Sequence, residues 1–184
     1  MTCVVGLLDK GDVWMGADSA GVAGWLVVKR DDSKVFRNGP FLMGFTSSFR
    51  MGQLLRYSFA PPKHEDKVSD HKFMCTTFTD AVRKCFKDGG YATKLNENET
   101  GGCFLVGYHG KLFEVESDYQ VGISHDAFAA VGCGDQLAMA SLTSTDKTKM
   151  DPKARVMLAM KVAEKYSTGV SGPFRVMRLR GASV

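Results

Sequence analysis

The chain has 184 residues and a formal net charge of +4, with 44% hydrophobic and 24% charged residues. This size fits one domain over residues 1–184, and the composition is that of an ordinary globular protein. The basic residues occur as scattered short pairs, which indicates solvated faces and argues against nucleic-acid binding. The chain has no run of eighteen apolar residues and no signal-peptide pattern, so we expect no membrane span.

The cysteines and histidines predict neither disulfides nor a metal site. The five cysteines are odd in number and lack a CxxC pair, which favours a reduced, cytoplasmic setting. The four histidines are dispersed, without the spacing of a zinc site. We therefore expect no metal ion and no cofactor.

Strand signals dominate the first 46 residues. The apolar runs Thr2–Leu8 and Val13–Ala17 flank a polar turn and predict a hairpin. Trp25–Val28 is a further β-like run. Lys34–Phe36 and Phe41–Thr46 flank an Asn-Gly-Pro turn and predict a second hairpin.

The hydrophobic period then becomes helical. Ser47-Ser48 can cap a first helix, and a second helix is predicted around Phe78–Cys85, closed by Gly89-Gly90. The segments Ala60–His71 and Tyr91–Thr100 are predicted to be surface loops.

The second half repeats this order of strands and helices. Helices are predicted to begin near Gly134-Asp135 and at Asp151-Pro152, where an N-cap residue precedes proline. The strand signals are Cys103–Tyr108, Leu112–Val115, Phe128–Val131 and Phe174–Leu179. Strand blocks separated by two helix pairs favour a layered sandwich with the sheets inside.

Three polar residues lie at equal intervals of sixteen: Thr2, Asp18 and Lys34. If Met1 is removed, Thr2 carries both a hydroxyl nucleophile and a free α-amine, whose ordinary pKa of about 7.7–8.0 suits a general base. A lysine ammonium would stabilise the charge on the hydroxyl oxygen, and a carboxylate would hold that lysine. Taken singly, an aspartate at a strand end is usually a turn residue, and a lone lysine is usually solvated.

These residues carry a resemblance to a known family. Thr2–Gly6, Gly16–Ser19, Lys34-Val35 and Asn38–Gly44 resemble the N-terminal half of proteasome β subunits and of the bacterial peptidase HslV. The later half is similar to the same family at Cys103–Tyr108, Leu112–Val115, Ala129–Gly134 and Ser171-Gly172. The resemblance thus covers nearly the whole chain.

The resemblance implies an α+β fold, the four-layer αββα sandwich of the N-terminal-nucleophile (Ntn) hydrolases. It implies Thr2 as nucleophile, its own amine as base, and Asp18 and Lys34 as the activating pair. A serine of the family's Gly-Ser-Gly motif falls on Cys133, and a serine before a late glycine falls on Ser171. Both positions join the predicted catalytic group.

The resemblance also implies the surroundings of the substrate. The backbone N–H of Ser48, where the family usually has glycine, would stabilise the oxyanion. The pocket for the residue before the cleaved bond would be lined by Gly21, Asp32, Thr46 and Arg50. This mixture is polar, which is unlike a pocket for large apolar side chains.

Besides Ser48, the chain departs from the family at three positions. Ala20 stands where the family commonly has arginine, and Cys133 replaces a serine with a weaker hydrogen-bonding thiol. Thr168 stands where an aspartate is frequent, although HslV-type members also lack it. Nothing but Met1 precedes Thr2, so activation is expected to require only the removal of Met1.

The sequence therefore predicts a threonine-type endopeptidase that acts on unfolded protein or peptides. The family implies a homo-oligomeric ring and an ATP-dependent unfoldase as partner. Two alternatives stay open. One is a catalytically silent scaffold subunit, favoured by the departures, and the other is an Ntn amidase acting on a small molecule.

Overall fold

The computed structural model describes residues 1–181, within which thirteen strands are found. In chain order they are β1 (Cys3–Asp9), β2 (Asp12–Ala17), β3 (Ala20–Ala23), β4 (Leu26–Lys29), β5 (Val35–Asn38), β6 (Phe41–Phe45), β7 (Thr93–Leu95), β8 (Asn98–Thr100), β9 (Phe104–Tyr108), β10 (Lys111–Val115), β11 (Val121–Ile123), β12 (Phe128–Gly132) and β13 (Arg175–Leu179).

The helices form two groups in the sequence. They are α1 (Phe49–Gln53), α2 (Asp70–Phe73), α3 (Thr79–Asp88), α4 (Asp135–Ser144) and α5 (Pro152–Tyr166). A π-helical segment, Leu54–Ser58, extends α1, and a second, Met74–Phe78, joins α2 to α3.

Two antiparallel sheets form the centre of the molecule. The first has four strands in the order β12–β1–β2–β13, and the second has five in the order β11–β10–β9–β6–β5. The hairpins β3–β4 and β7–β8 are separate two-stranded ribbons.

The two sheets pack face to face through short aliphatic side chains. Val4 and Met15 from the first sheet meet Leu42 and Leu105 from the second in one buried cluster. The approach is closest at Gly44, where an added Cβ would lie 2.5 Å from Cγ1 of Val4. The small residue therefore allows the sheets to interdigitate at native density.

Helices cover the outer face of each sheet. α4 and α5 pack on the first sheet through a cluster that includes Val156 and Met160. The helical segments from α1 to α3 cover the second sheet through an aromatic cluster that includes Phe41, Phe78 and Phe86. Each helix group buries its apolar face on the nearest sheet, and the result is the predicted four-layer αββα order. That prediction is confirmed.

Local sequence signals explain where several helices begin. The Asp151 carboxylate accepts a hydrogen bond from the Ala154 N–H at 3.1 Å, and Pro152 occupies the first turn of α5. Ser48 caps α1 through its hydroxyl, as its position in the sequence predicted.

Two loop predictions were wrong in part. Tyr91–Thr100 contains the hairpin β7–β8, whose strands are polar and exposed and so lack an alternating apolar pattern. Its turn residues Asn96 and Glu97 both have positive φ. The loop predicted for Ala60–His71 stops before Asp70, because Ser69 caps a helix that begins at Asp70. No helix within residues 1–181 is long and apolar enough to cross a membrane.

Candidate active site

The strand arrangement brings the three evenly spaced residues together. Thr2 directly precedes β1, Asp18 directly follows β2, and Lys34 directly precedes β5. Antiparallel pairing of Val4 with Ala17 places Asp18 beside the start of β1. All three residues are buried, with relative exposures of 4%, 1% and 2%.

Lys34 is the centre of this group. Its Nζ donates hydrogen bonds to Thr2 Oγ1 at 2.8 Å and to the two Asp18 oxygens at 2.9 and 3.0 Å. It also donates to the carbonyl of Ala20 at 2.7 Å. The ammonium is therefore surrounded by acceptors and held against the threonine hydroxyl.

Asp18 is fixed from the other side by the backbone. Its Oδ1 accepts from the Cys3 N–H at 3.0 Å, and its Oδ2 accepts from the Ala20 N–H at 2.9 Å. A carboxylate held by two N–H groups and an ammonium has little freedom to rotate. Asp18 thus fixes the position of Lys34.

Burial lowers the pKa of Lys34 from its ordinary value of 10.5, and the nearby Asp18 charge offsets part of this effect. Desolvation disfavours the ammonium, whereas an opposite charge in contact favours it. The charge of the buried lysine is therefore supported by its contact with Asp18, and the ammonium donates to Thr2 Oγ1 at 2.8 Å. Such perturbed groups cluster at functional sites.

The adjacent Cys3 does not compete as a nucleophile. Burial, followed by the negative charge of Asp18, raises the pKa of its thiol to about 12. The reactive form of a cysteine is its thiolate, which is negligible at neutral pH for such a group. Thr2 is therefore the nucleophile candidate at this position.

Met1 occupies the space next to the Thr2 hydroxyl. Thr2 Oγ1 donates a short hydrogen bond to the Met1 carbonyl, and the Thr2 N–H donates to Cys133 Sγ at 3.3 Å. An amide nitrogen has no basic lone pair, so the chain with Met1 attached lacks the predicted general base. Removal of Met1 would leave an amine in contact with Cys133.

The wall around Thr2 comes from the β12–α4 junction and the turn after α5. Gly132 has φ +103°, and a Cβ there would lie 2.2 Å from the Thr2 carbonyl oxygen, so only glycine fits. Ser167 Oγ donates to the Cys133 carbonyl at 3.4 Å and lies 3.6 Å from its Sγ. Ser171 lies nearby through its backbone, because its carbonyl accepts from the Ser19 N–H at 3.0 Å.

The Ser171 hydroxyl makes no hydrogen bond to Thr2 within the described part of the chain. Thr168 contributes none either among residues 1–181, whereas Ser167 holds Cys133. Sequence reasoning did not single out Ser167, and only its place next to Thr168 could have indicated it.

Ser48 lies beside the nucleophile, in a cleft lined also by Met1, Thr2, Thr46 and Ser47. Its backbone N–H, the predicted oxyanion donor, donates to the Thr46 carbonyl at 2.7 Å. Ser47 between them has φ +60°, a left-handed conformation. In the chain that carries Met1, this tight turn keeps the N–H engaged by the Thr46 carbonyl.

Two of the four predicted pocket residues line cavities at the site. Thr46 lines the cleft at Thr2, and Asp32 lines a neighbouring cavity that shares Phe45 and Phe49 with it. Arg50 points elsewhere, since its guanidinium donates to the Gly89 carbonyl at 3.2 Å.

Arg30 packs against two residues that line this neighbouring cavity, Asp32 and Phe49, and sequence reasoning did not single it out. It makes two hydrogen bonds to Asp32, at 2.7 and 2.6 Å, and stacks 3.7 Å above the Phe49 ring. A Cβ on Gly21 would lie 2.9 Å from Arg30 Cδ, so the glycine makes room for this side chain. Hydrogen bonds from Arg30 lower the pKa of Asp32. The Lys29-Arg30 pair had indicated only a solvated face.

Comparisons with protein-family models and with curated proteins give no match. Solved structures match over nearly the whole chain. The bacterial proteasome homologue BPH of Thiobacillus denitrificans, in complex with epoxomicin, has a TM-score of 0.83 at 18% identity and covers 99% of this chain and 100% of its own. Eukaryotic HslV from Trypanosoma brucei has a TM-score of 0.70 at 18% identity, covering 97% of this chain and 99% of its own. Anbu, an ancestral β-subunit from Yersinia bercovieri, has a TM-score of 0.66 at 13% identity, covering 96% and 81%.

The chain has the proteasome-like Ntn hydrolase fold. Within that fold, the Thr2, Asp18 and Lys34 group lies where β1, β2 and β5 meet. At these identities the likeness establishes the fold, and a hypothesis about chemistry must stand on the contacts of the site itself.

Proposed function

We propose that this chain is a threonine-type peptidase of the proteasome β and HslV kind, active after removal of Met1. The observation that carries the proposal is the contact of the buried Lys34 ammonium with Thr2 Oγ1 at 2.8 Å, with Asp18 behind it. A buried ammonium against a hydroxyl lowers the cost of forming an alkoxide-like oxygen during attack.

The proposed reaction begins with transfer of the Thr2 hydroxyl proton to its own α-amine. Oγ1 then bonds to the peptide carbonyl carbon, and the carbonyl oxygen becomes negatively charged. Collapse of this intermediate breaks the peptide C–N bond, and the departing amine takes the proton from the α-ammonium. Water then attacks the ester, releases the carboxylic acid product and regenerates Thr2.

Lys34 and Asp18 act here as fixed charges. The ammonium stabilises negative charge on Oγ1, and Asp18 keeps it in place through two hydrogen bonds. Cys133 positions the amine, since its Sγ lies 3.3 Å from the Thr2 nitrogen. Ser167, in contact with Cys133, supports that position in place of Thr168.

We assign stabilisation of the oxyanion to the Ser48 backbone N–H, because the proposed mechanism needs a hydrogen-bond donor next to Thr2. The N–H must leave the Thr46 carbonyl for this role, and rotation of the Ser47–Ser48 peptide bond plane would release it. A positive φ at Ser47 is a strained conformation, which favours such a rearrangement when substrate binds.

The proposed substrate is an unfolded protein or a peptide. The cavity beside the nucleophile has Phe45 and Phe49 on its walls and the Arg30–Asp32 ion pair at its edge. Because the two charges neutralise each other, we expect no strong preference for a charged residue before the cleaved bond.

We also propose that the chain self-associates, in the ring arrangement that the family implies, in the cytoplasm and with an ATP-dependent unfoldase as partner. The β3–β4 hairpin supports self-association. Trp25 is fully exposed at its turn, and Leu26 is 63% exposed. Adjacent large apolar side chains on a surface mark contact sites, and here a second copy of this chain is the proposed occupant.

One experiment tests activity and assembly together. Met1-free protein should be separated by size, and each fraction assayed with a set of fluorogenic peptides. We expect peptide hydrolysis to coincide with a species several times the 20.1 kDa chain mass. Absence of hydrolysis from every fraction of Met1-free protein would contradict the peptidase proposal, and activity in a monomer would contradict only the ring.

A catalytically silent scaffold subunit is the second candidate. It is favoured by the contact of Met1 with the Thr2 hydroxyl and by the engaged Ser48 N–H. The buried Lys34–Asp18 pair argues against it. A buried ion pair often adds little net stability, because the cost of desolvating the two charges offsets their attraction, so its presence favours a role beyond folding.

A further inference from the structure

A second group of ionisable side chains lies at the far end of β9 from Thr2. β9 begins beside Thr46, whose N–H donates to the Cys103 carbonyl, and ends four residues on at Tyr108. This is a separation of roughly 13 Å along the strand. At that end His64, Asp70 and His109 place one ligand atom each within 4.8 Å of one another.

Three different elements supply these residues. His64 belongs to the irregular connector between Phe59 and Ser69, Asp70 begins α2, and His109 lies in the β9–β10 turn. His109 and Gly110 have φ of +48° and +69°, the geometry of a tight two-residue hairpin turn. The turn holds the His109 ring toward α2 instead of leaving it on a mobile loop.

Hydrogen bonding fixes which His64 nitrogen carries the lone pair. His64 Nε2 lies 2.7 Å from the Val68 carbonyl, which can only accept, so Nε2 carries the proton. In the neutral ring Nδ1 then carries the lone pair, and it faces Asp70 Oδ1 at 3.7 Å. Histidines that ligate metals characteristically donate their other N–H to a backbone carbonyl or carboxylate in this way.

The separations of the histidine nitrogens from Asp70 Oδ1 suit binding to one tetrahedral metal ion. His109 Nδ1 lies 2.9 Å from Asp70 Oδ1. Ligands placed about 2.0–2.1 Å from a tetrahedral ion are roughly 3.3 Å apart, which lies between the two observed separations. Two imidazoles and one carboxylate form a donor set that zinc accepts, with a fourth position left for water.

We propose that His64 Nδ1, Asp70 Oδ1 and His109 Nδ1 bind a divalent transition-metal ion of the zinc class, which clips the connector before α2 to the β9–β10 turn. The ion would join these two segments through one ligand set. This departs from the expectation of no metal, which rested on sequence spacing alone.

Two neighbouring side chains make hydrogen bonds to the proposed ligands when no ion is bound, and an ion would have to displace or outcompete them. Lys111 Nζ donates to Asp70 Oδ2 at 2.6 Å, and the Tyr108 hydroxyl lies 3.0 Å from His64 Nδ1, to which it donates. When no ion is bound, His109 Nδ1 donates to Asp70 Oδ1 at 2.9 Å. His109 can bind through Nδ1 by moving its proton to Nε2.

The test is Zn²⁺ affinity, measured by competition with a chromophoric chelator, for the parent and for single variants. His64→Ala and His109→Ala should each weaken binding about tenfold or more, the scale set by losing even an outer partner of a ligand. Lys111→Met and Tyr108→Phe should tighten binding, because each removes a competitor. His71→Ala is the matched control and should bind like the parent, since His71 follows Asp70 on α2 but is exposed and lies near the Val121 carbonyl, outside the proposed ligand set.

Cobalt substitution distinguishes this site from the cysteines. We expect the Co²⁺ absorption spectrum of nitrogen and oxygen ligands, without thiolate charge-transfer bands. Thiolate bands, an unchanged affinity in His109→Ala, or no binding by the parent would overturn the proposal. His109 is in an exposed turn, so its variant keeps the test valid if His64→Ala fails to fold. A Thr2→Ala chain should bind Zn²⁺ as the parent does, so failure of the peptidase proposal would leave this one standing.

Discussion

Thr2→Ala is expected to abolish peptide hydrolysis by the Met1-free protein, with kcat/KM falling by about 10⁴-fold or more, the scale seen on removal of a serine nucleophile. The variant retains an α-amine and the Lys34–Asp18 pair but has no oxygen to attack the carbonyl. Alanine is also small, so removal of Met1 should be unaffected. The measurement is kcat/KM with a fluorogenic peptide on the assembled fraction.

Thr2→Ser is the matched control for this prediction. It keeps the hydroxyl in contact with Lys34 Nζ, so we expect measurable turnover. Both variants should have the far-UV circular dichroism and size of the parent. Undiminished turnover in Thr2→Ala would remove the assignment of the nucleophile.

Lys34→Met is expected to reduce kcat on the order of 10²–10³-fold, comparable to loss of one donor that stabilises developing charge. Lys34→Arg should recover little, because a planar guanidinium cannot reproduce the contacts of Nζ with Thr2, Asp18 and Ala20. Methionine also leaves the buried Asp18 without its cation, at a cost of about 3–5 kcal/mol in the free energy of unfolding. Activity is therefore measured where circular dichroism shows the variant folded.

A double variant separates stability from catalysis. Lys34→Met combined with Asp18→Asn removes both charges and should regain part of the lost stability without regaining activity. Lys161→Ala, an exposed lysine on α5, serves as the control and should leave both quantities unchanged. A fully active Lys34→Met protein would exclude the lysine from the mechanism.

The same lysine predicts opposite pH trends for stability and activity. Its folded-state pKa lies below the ordinary 10.5, so between these values the unfolded chain binds more protons. The contribution of Lys34 to stability therefore rises with pH in that window. Activity that needs the Lys34 charge should instead fall as the pH rises through that window. The residual activity of Lys34→Met should lack this alkaline decrease.

The sequence predicted the layers of sheets and helices and the proximity of Thr2, Asp18 and Lys34, because both depend on local signals. Apolar runs around a turn gave the β1–β2 hairpin, and Asp151-Pro152 marked the start of α5. Thr2, Asp18 and Lys34 each border a strand, so correct strands placed them near one another. The assignment of their roles rests on the chemistry of a terminal threonine and on the resemblance, and it stays a prediction until tested.

The unpredicted features depend on contacts between distant segments. Arg30 joins Asp32, but its stacking on Phe49 requires the β3–β4 ribbon to fold over α1. His64 and His109 are 45 residues apart and meet only after the connector packs against the β9–β10 turn. Neither spacing nor hydrophobic period contains that information, and the polar β7–β8 hairpin lacked such a period altogether.

The most direct test of Thr2 as the nucleophile is the intact mass of the protein before and after treatment with an epoxyketone inhibitor, the class to which the epoxomicin bound by BPH belongs. We expect a mass lacking Met1 that gains one inhibitor per chain, with no gain in Thr2→Ala. A Met1-free chain that gains no inhibitor, or a Thr2→Ala chain that gains as much as the parent, would contradict Thr2 as the nucleophile.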